Sequence, residues 1–255
     1  MNQSKIAGTQ AVARAAALLR EIAASGEQGG ALSDLADRLE LERPTAHRIL
    51  QRLAMEKLIE QDPGSRLYSL GPLLHELGLA ARPSNYVQGL ASEAAAKVAN
   101  ECGDTVFVIV QSGMDSLCID RYSGDYPVKA LLMSPGRRRP MGTGAGSLSL
   151  LSAMPSNNAL QILQSNATRL RLHGEVNAVD IANGLEQYRR DGFVVRAPTD
   201  APEILSLAVA ICNSYRTPIA AISISALKFR IESRLDRLLS ILSDAKKEIE
   251  NKYTS

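Results

Sequence analysis

Apolar positions recur at helical spacing over most of residues 9–55. Residues 9–24 form an alanine-rich amphipathic pattern, and residues 32–39 repeat it with Ser33 as the expected N-cap. A third helix is expected to begin at Pro44, because proline suits the first turn of a helix. The spacing of these segments predicts a small helical domain at the start of the chain.

The third helix presents two chemically different faces. At 100° per residue, one face is apolar and consists of Ala46, Ile49, Leu50 and Leu53. The opposite side carries Thr45, His47, Arg48, Gln51 and Arg52. Residues 43–55 contain three arginines and no carboxylate, which favours contact with phosphate. We expect the apolar face to pack and the polar face, with Arg43 at its start, to enter a DNA major groove.

Two short strand-like segments follow the third helix. They flank the turn sequence Asp-Pro-Gly-Ser at residues 62–65, which predicts a β-hairpin. A helix-turn-helix followed by such a hairpin indicates a winged helix-turn-helix, and Arg66 near the tip is expected to contact phosphate or a minor groove. The alternative is a small helical domain whose arginines are merely solvated.

The remaining pattern divides the chain into two domains. The DNA-binding domain is assigned to residues 1–70, a linker helix to residues 71–83, and a second domain to residues 84–255. In the second domain we expect helices at 86–102, 147–153, 157–170, 178–190 and 230–251, and strands at 104–113, 115–127, 128–140, 192–196, 205–211 and 218–225. This order predicts an α+β domain with a central antiparallel sheet.

Composition narrows the function further. No apolar run approaches the roughly 18 residues that span a bilayer, and the N-terminus lacks a secretory pattern, so we expect a cytoplasmic protein without a membrane partner. The three cysteines and three histidines are scattered, so no disulfide, metal or cofactor is expected. Positions 1–82 hold equal numbers of basic and acidic side chains. DNA affinity per monomer should therefore be modest, which favours a dimer.

Enzyme motifs do not fit the chain. The glycines at 142, 144 and 146 lack the G-K-[ST] of a phosphate-binding loop, and no G-x-S-x-G nucleophile elbow is present. We therefore expect no catalytic residues. The arginines at 137–139 are expected to be solvated or to form subunit contacts, and the alternative is a second nucleic-acid patch.

Two strands of the second domain each show a small or hydroxylated face. Alternation places Ser223 and Ser225 on one side of their strand, and Ser206 on a face with Ala208 and Ala210. Small side chains leave room and hydroxyls offer hydrogen bonds, which favours a binding pocket. The alternative is that a closely packed helix covers both faces.

The order of these motifs resembles the IclR (isocitrate lyase regulator) family of bacterial transcription regulators over nearly the whole chain. The resemblance is carried by RPTAHRILQRLAMEKLIEQDPGSRLYSLG, GDTVFVIV, GRRRPMGTGAGSLSLLSAMP and IAAISIS. It implies a first domain that binds DNA as a dimer or tetramer. It also implies a second domain, profilin-like or GAF-like in fold, that binds a small organic acid or aromatic metabolite.

The resemblance also implies an effector site in the second domain. It places ligand-binding positions at Gly144 and Ala145, where N–H groups at a helix start can receive a carboxylate. The strand positions of the site fall on Ser206, Ser223 and Ser225, and Ser206 stands where some members have cysteine.

Arg196 is a second departure from the family pattern, since some members of the family have an acidic residue at this position. An arginine that faces an apolar cavity is costly unless it is paired, and a carboxylate ligand would pair it, so an anionic effector is expected. The alternative is a strand-end arginine that is solvated or paired with Asp200 or Glu203.

We therefore expect a ligand-responsive repressor without enzymatic activity. Its expected partners are a palindromic, double-stranded operator DNA, a small organic acid and further copies of the chain. The alternative is a metabolite-binding or enzymatic domain that carries a vestigial helix-turn-helix, and salt-dependent binding to promoter DNA separates the two.

Overall fold

The computed structural model describes residues 9–80, 86–174 and 177–254. The chain divides into two compact units, Met1–Pro83 and Ser84–Ser255. The predicted fold class, a helix-turn-helix domain followed by an α+β domain with an antiparallel sheet, is confirmed. Among the described residues, no helix has the length and apolar character needed to cross a membrane.

The first unit is a three-helix domain with a small hairpin. Its elements are α1 (Gln10–Ala24), a short 3-10 helix (Gly26–Gln28), α2 (Leu32–Arg38), α3 (Arg43–Met55), β1 (Ile59–Gln61), β2 (Tyr68–Leu70) and α4 (Pro72–Ala80). The core consists of Leu18, Ile22, Leu35, Leu50, Leu53, Ile59 and Tyr68. The predicted linker is therefore helical in α4, and residues 81–83 lie outside the described part.

The predicted N-cap of α2 is wrong. The helix begins two residues earlier than that cap implies, with Ala31 as its N-cap in an extended conformation. Ser33 lies inside the first turn, where its hydroxyl donates to the neighbouring carboxylate of Asp34 at 3.0 Å. The apolar side chain of Leu35 is fully buried, so core packing and not side-chain capping sets the start of this helix.

The second unit is built on one antiparallel sheet. Its strands are β3 (Thr105–Ser112), β4 (Asp115–Ser123), β5 (Arg138–Pro140), β6 (Val194–Arg196), β7 (Ile204–Cys212) and β8 (Pro218–Leu227). Their spatial order is β5-β4-β3-β8-β7-β6, and every neighbouring pair is antiparallel. The β3-β4-β5 portion is the predicted meander.

Helices cover both faces of this sheet. They are α5 (Tyr86–Cys102), α6 (Gly144–Ala153), α7 (Ser156–Ser165), α8 (Ala167–Leu172), α9 (Ala178–Asp191), α10 (Lys228–Glu232) and α11 (Leu235–Thr254). One apolar core joins α5 and α11 to one face, through Val108 and Ile222 among others. A second core joins α6, α7 and α9 to the other face, through Phe107 and Ala221 among others. Opposite faces of the same strands thus supply two separate cores.

Three predicted elements of the second unit differ most from the structure, while β4 ends at Ser123 and α6 begins at Gly144. The strand expected at 128–140 is limited to β5, because a turn at Ser134 and Gly136 precedes it. The helix expected at 157–170 divides into α7 and α8 at Asn166, whose side-chain amide donates to the Met114 carbonyl at 2.7 Å and the Met141 carbonyl at 3.3 Å. The closing helix divides into α10 and α11.

A buried carboxylate accounts for the last of these breaks. Asp104 is 1% exposed, and its two oxygens lie 2.9 Å from Arg230 Nε and 2.5 Å from Arg234 Nη2. Arg234 lies between the two helices, and its other terminal nitrogen donates to the Cys102 carbonyl at 3.1 Å. Arg230 also stacks over the Tyr126 ring, 3.4 Å from its centroid. These contacts fix the α10–α11 junction to the start of β3.

Candidate functional site

The exposed side of α3 carries the predicted DNA-contact residues. Arg43, Arg48, Gln51 and Arg52 are exposed, whereas Thr45 and His47 are half-buried. The opposite side packs into the core through Ala46, Leu50 and Leu53. The helix is thus fixed by its apolar side and presents a cationic side to solvent.

The polar set from Thr45 to Arg52 forms one arc of roughly 160° in which only the central residues are exposed. At 100° per residue, Arg48, Gln51 and Arg52 lie within an arc of roughly 100° opposite the core, while Thr45 and His47 lie on its two flanks. Thr45, Arg48 and Arg52 also border a shallow groove that α1 completes. The three central side chains are therefore the ones that a single groove of DNA would meet together.

One central arginine is already engaged. Arg52 forms an ion pair with Glu56, four residues along at the end of α3, and both side chains are largely exposed. Exposed pairs of this kind contribute only about 0.3–0.5 kcal/mol. The pair therefore holds the Arg52 guanidinium only weakly.

The hairpin exposes its predicted arginine at the tip. Arg66 is exposed, has a positive φ of 61°, and its backbone N–H donates to the Asp62 carbonyl at 2.9 Å. The backbone N–H of Ser65 donates to the Asp62 carboxylate at 2.6 Å, and this bond, with a second from the Ser65 hydroxyl, lowers the pKa of Asp62. The turn is thus closed by a charged carboxylate, with Arg66 directed outward.

A cavity of about 170 Å³ lies between the sheet and the start of α6 in the second unit. All six residues assigned to the effector site line it: Gly144, Ala145, Arg196, Ser206, Ser223 and Ser225. The Ser206 and Ser225 hydroxyls are 2.7 Å apart and pair with each other. The three serines are at most 5% exposed, so they form a buried polar floor.

The start of α6 forms a second part of the cavity wall. Gly144, the first residue of the helix, has a positive φ of 73°, and a Cβ there would meet open space. The N-cap Thr143 does not cap the helix with its hydroxyl, which donates instead to the Pro140 carbonyl at 2.9 Å. The helix start therefore presents backbone N–H groups and the positive end of the helix dipole to the cavity.

The cavity rim is cationic. Arg137, Arg139 and Arg196 line it, together with His173 and Asp200. Arg196 lies opposite Ser206 across the β6–β7 pair and is half-buried. Asp200, one of the two partners considered for Arg196, lies 4.0 Å from Arg139 Nη2.

Sequence reasoning missed Arg137, Arg139 and His173. Arg139 is half-buried at the cavity and not simply solvated, because β5 pairs it with Ser116 of β4, which also lines the cavity. A period of two along the arginine run could have separated Arg139 from Arg138. The pairing partner is distant along the chain and gives no local signal.

The cysteines supply no chemistry to either site. Burial raises the pKa of the Cys102 and Cys118 thiols to about 11, so both are protonated at neutral pH. Among the described residues, no group of three histidine, cysteine, aspartate or glutamate side chains is arranged to hold a metal ion.

Comparisons with known proteins agree with the two-unit architecture. The IclR helix-turn-helix domain model matches residues 11–63, and the model for the C-terminal domain of bacterial transcriptional regulators of the IclR type matches residues 84–251. The transcriptional repressor IclR of Escherichia coli K12 is 24% identical over 249 residues, which are 96% of this chain and 90% of the relative.

Two solved structures show the same fold. The IclR transcriptional regulator from Alicyclobacillus acidocaldarius superposes with a TM-score of 0.79 at 23% identity, over 96% of this chain and 99% of the other. An IclR homologue from Microbacterium hydrocarbonoxydans, solved in complex with 4-hydroxybenzoate, gives 0.73 at 21% identity, over 94% and 98%. Together the two domain models match most of the chain in the order seen here, so the chain belongs to the IclR family of bacterial transcriptional regulators.

Proposed function

We propose that this regulator is a cytoplasmic repressor that binds a palindromic operator through α3 and Arg66 and responds to a small organic acid in the α6 cavity. The observation that supports the DNA-binding part of this proposal is the exposure of Arg48, Gln51 and Arg52 opposite the buried side of α3. Arginine and glutamine are side chains that read guanine and adenine in the major groove.

A symmetric assembly of two or more copies of the chain would raise the affinity for operator DNA. Positions 1–82 carry equal numbers of acidic and basic side chains, so one copy offers phosphate only a local cationic face. Two copies related by a two-fold axis would place two α3 helices on half-sites about one helical turn apart. The proposal is therefore a dimer or tetramer on a palindromic operator.

The effector half follows from the chemistry of the cavity. A buried hydroxylated floor, the N-terminal end of α6 and an arginine rim all favour an anion that also accepts hydrogen bonds. A cavity of this volume is of the order that holds one benzene-sized ring. The Microbacterium homologue bound to 4-hydroxybenzoate is a relative whose ligand has this chemistry.

The test begins with operator DNA selected from a random duplex library by the full-length protein. Fluorescence anisotropy at several salt concentrations should show a sequence-selective affinity whose logarithm falls linearly with the logarithm of salt concentration. Arg48→Ala and Arg52→Ala should reduce selective binding, whereas Arg171→Ala, an exposed arginine on α8, should not. Failure to enrich any sequence, or unchanged binding by the two α3 variants, would contradict the proposal.

A further inference from the structure

The cavity rim carries more positive charge than a single carboxylate needs. Three arginines and one carboxylate, Asp200, are among the lining residues that the structure describes, and with His173 neutral their formal charge is +2. Arg137 and Arg196 also interact with neighbouring groups, so the rim is an organised cationic surface and not a set of loose side chains.

Strand alternation explains which of the three consecutive arginines reach the cavity. Arg138 points away from it and forms an ion pair with Asp115, with Nε and Oδ2 3.3 Å apart. Arg139, the next residue of β5, is directed to the opposite face and lies across from Ser116. Arg138 therefore stabilises the β4–β5 edge, while Arg139 adds charge to the cavity without taking part in that pair.

Arg139 is oriented and still has hydrogen-bond donors for a ligand. One terminal nitrogen donates to the Leu132 carbonyl at 3.0 Å, which fixes the side chain. The Asp200 carboxylate lies 4.0 Å away, too far for a hydrogen bond, and is 72% exposed. Since a guanidinium has five N–H donors, Arg139 can pair a ligand carboxylate through two parallel bonds.

The floor of the cavity is a second place, besides Arg139, where an anionic group of a ligand can bind. Ser223 is 4% exposed and lines the cavity. Within the described part of the chain, its hydroxyl has no hydrogen-bond partner, whereas the Ser206 and Ser225 hydroxyls pair with each other. A hydroxyl that lines the cavity beside the N-terminal end of α6 is a site for a ligand oxygen.

We propose that the effector is a dianionic small acid, such as a short dicarboxylate, with one carboxylate on the serine and α6 floor and the other on the Arg139 rim. This inference rests on the proposed function, because it specifies the ligand class of the same cavity. A monoanion bound at the floor would leave the Arg139 guanidinium without a ligand carboxylate.

Isothermal titration calorimetry of the full-length protein tests the inference with matched probes. Succinate, glutarate and adipate are each compared with their own monoamide, which keeps length and shape but removes one charge. We expect at least one dicarboxylate to bind about tenfold tighter than its monoamide, as one charge-assisted, bidentate pair would give. Arg139→Gln should reduce this ratio to about twofold or less, while Arg171→Gln on α8 should preserve it.

Two results would overturn the dianion proposal. One is binding of the monoamides, or of 4-hydroxybenzoate, without detectable binding of any dicarboxylate. The other is a dicarboxylate preference that Arg139→Gln leaves unchanged. Neither result affects operator binding by the same protein, so failure of this inference is distinguishable from failure of the proposed function.

Discussion

Neutralising Glu56 should strengthen operator binding. In the free protein this carboxylate pairs with Arg52 at the end of α3, and both groups are exposed. DNA must displace it before phosphate or a base edge can use the guanidinium. Glu56→Gln removes the competing charge while keeping a side chain of the same size.

The magnitude follows from two small contributions. Breaking an exposed i,i+4 pair costs about 0.3–0.5 kcal/mol. Removing one negative charge at about 8 Å from a phosphate gains roughly 0.5 kcal/mol in water before salt screening. With salt screening included, the sum is about 0.5–1 kcal/mol per copy. It predicts about a two- to fivefold rise in affinity per α3 helix and about five- to thirtyfold for a symmetric dimer.

Fluorescence anisotropy with labelled operator at fixed salt measures this change. Glu76→Gln, which neutralises an exposed carboxylate on α4, is the matched control. In a double-mutant cycle, Arg52→Ala should remove the ion-pair contribution, about half of the gain, and leave the charge contribution. Unchanged or weaker binding by Glu56→Gln would refute the reasoning. An equal gain in the Glu76 control would show that only net charge matters.

Three other predictions concern recognition and stability. Arg48→Ala should make the free energy of operator binding less favourable by about 1–3 kcal/mol and relax the preference for the operator sequence. Arg66→Ala should weaken binding to all DNA sequences about evenly, and competition binding measures both effects. Asp104→Ala should lower the free energy of unfolding by about 3–5 kcal/mol in urea melts, because two arginines lose their buried partner; a loss below about 1 kcal/mol would contradict this. Burial raises the pKa values of the Cys102 and Cys118 thiols from 9.0 to about 11. The stability that these protonated thiols contribute is therefore complete below pH 9, and the free energy of unfolding should fall as pH rises toward 11. The variant with both Cys102→Ala and Cys118→Ala should show a smaller fall in the free energy of unfolding over the same pH range.

Periodicity predicted the parts of this protein that local sequence controls. The helical repeat separated the buried Leu50 from the exposed Arg48, and the alternation along β8 placed Ser223 and Ser225 on the same face of that strand. Both patterns depend only on neighbours along one element. Either can therefore be read before any tertiary contact is known.

Contacts between residues far apart along the chain determined the features that sequence periodicity could not predict. The break at Asn166 depends on the distant carbonyls of Met114 and Met141, and the break before α11 depends on Asp104, which lies far from Arg234 along the chain. The Arg139 position at the cavity depends on pairing with Ser116. No local propensity encodes these partners, so helix ends and the cavity rim were the least predictable features.

The coupling between the cavity and α3 is the central claim, and one linked titration tests it most directly. Operator affinity is measured by anisotropy without acid and with a saturating concentration of the tightest-binding acid of the calorimetric panel. The account predicts at least about a fivefold loss of operator affinity, and by reciprocity the same factor in acid affinity when operator is saturating. Equal operator affinity with and without bound acid would contradict it.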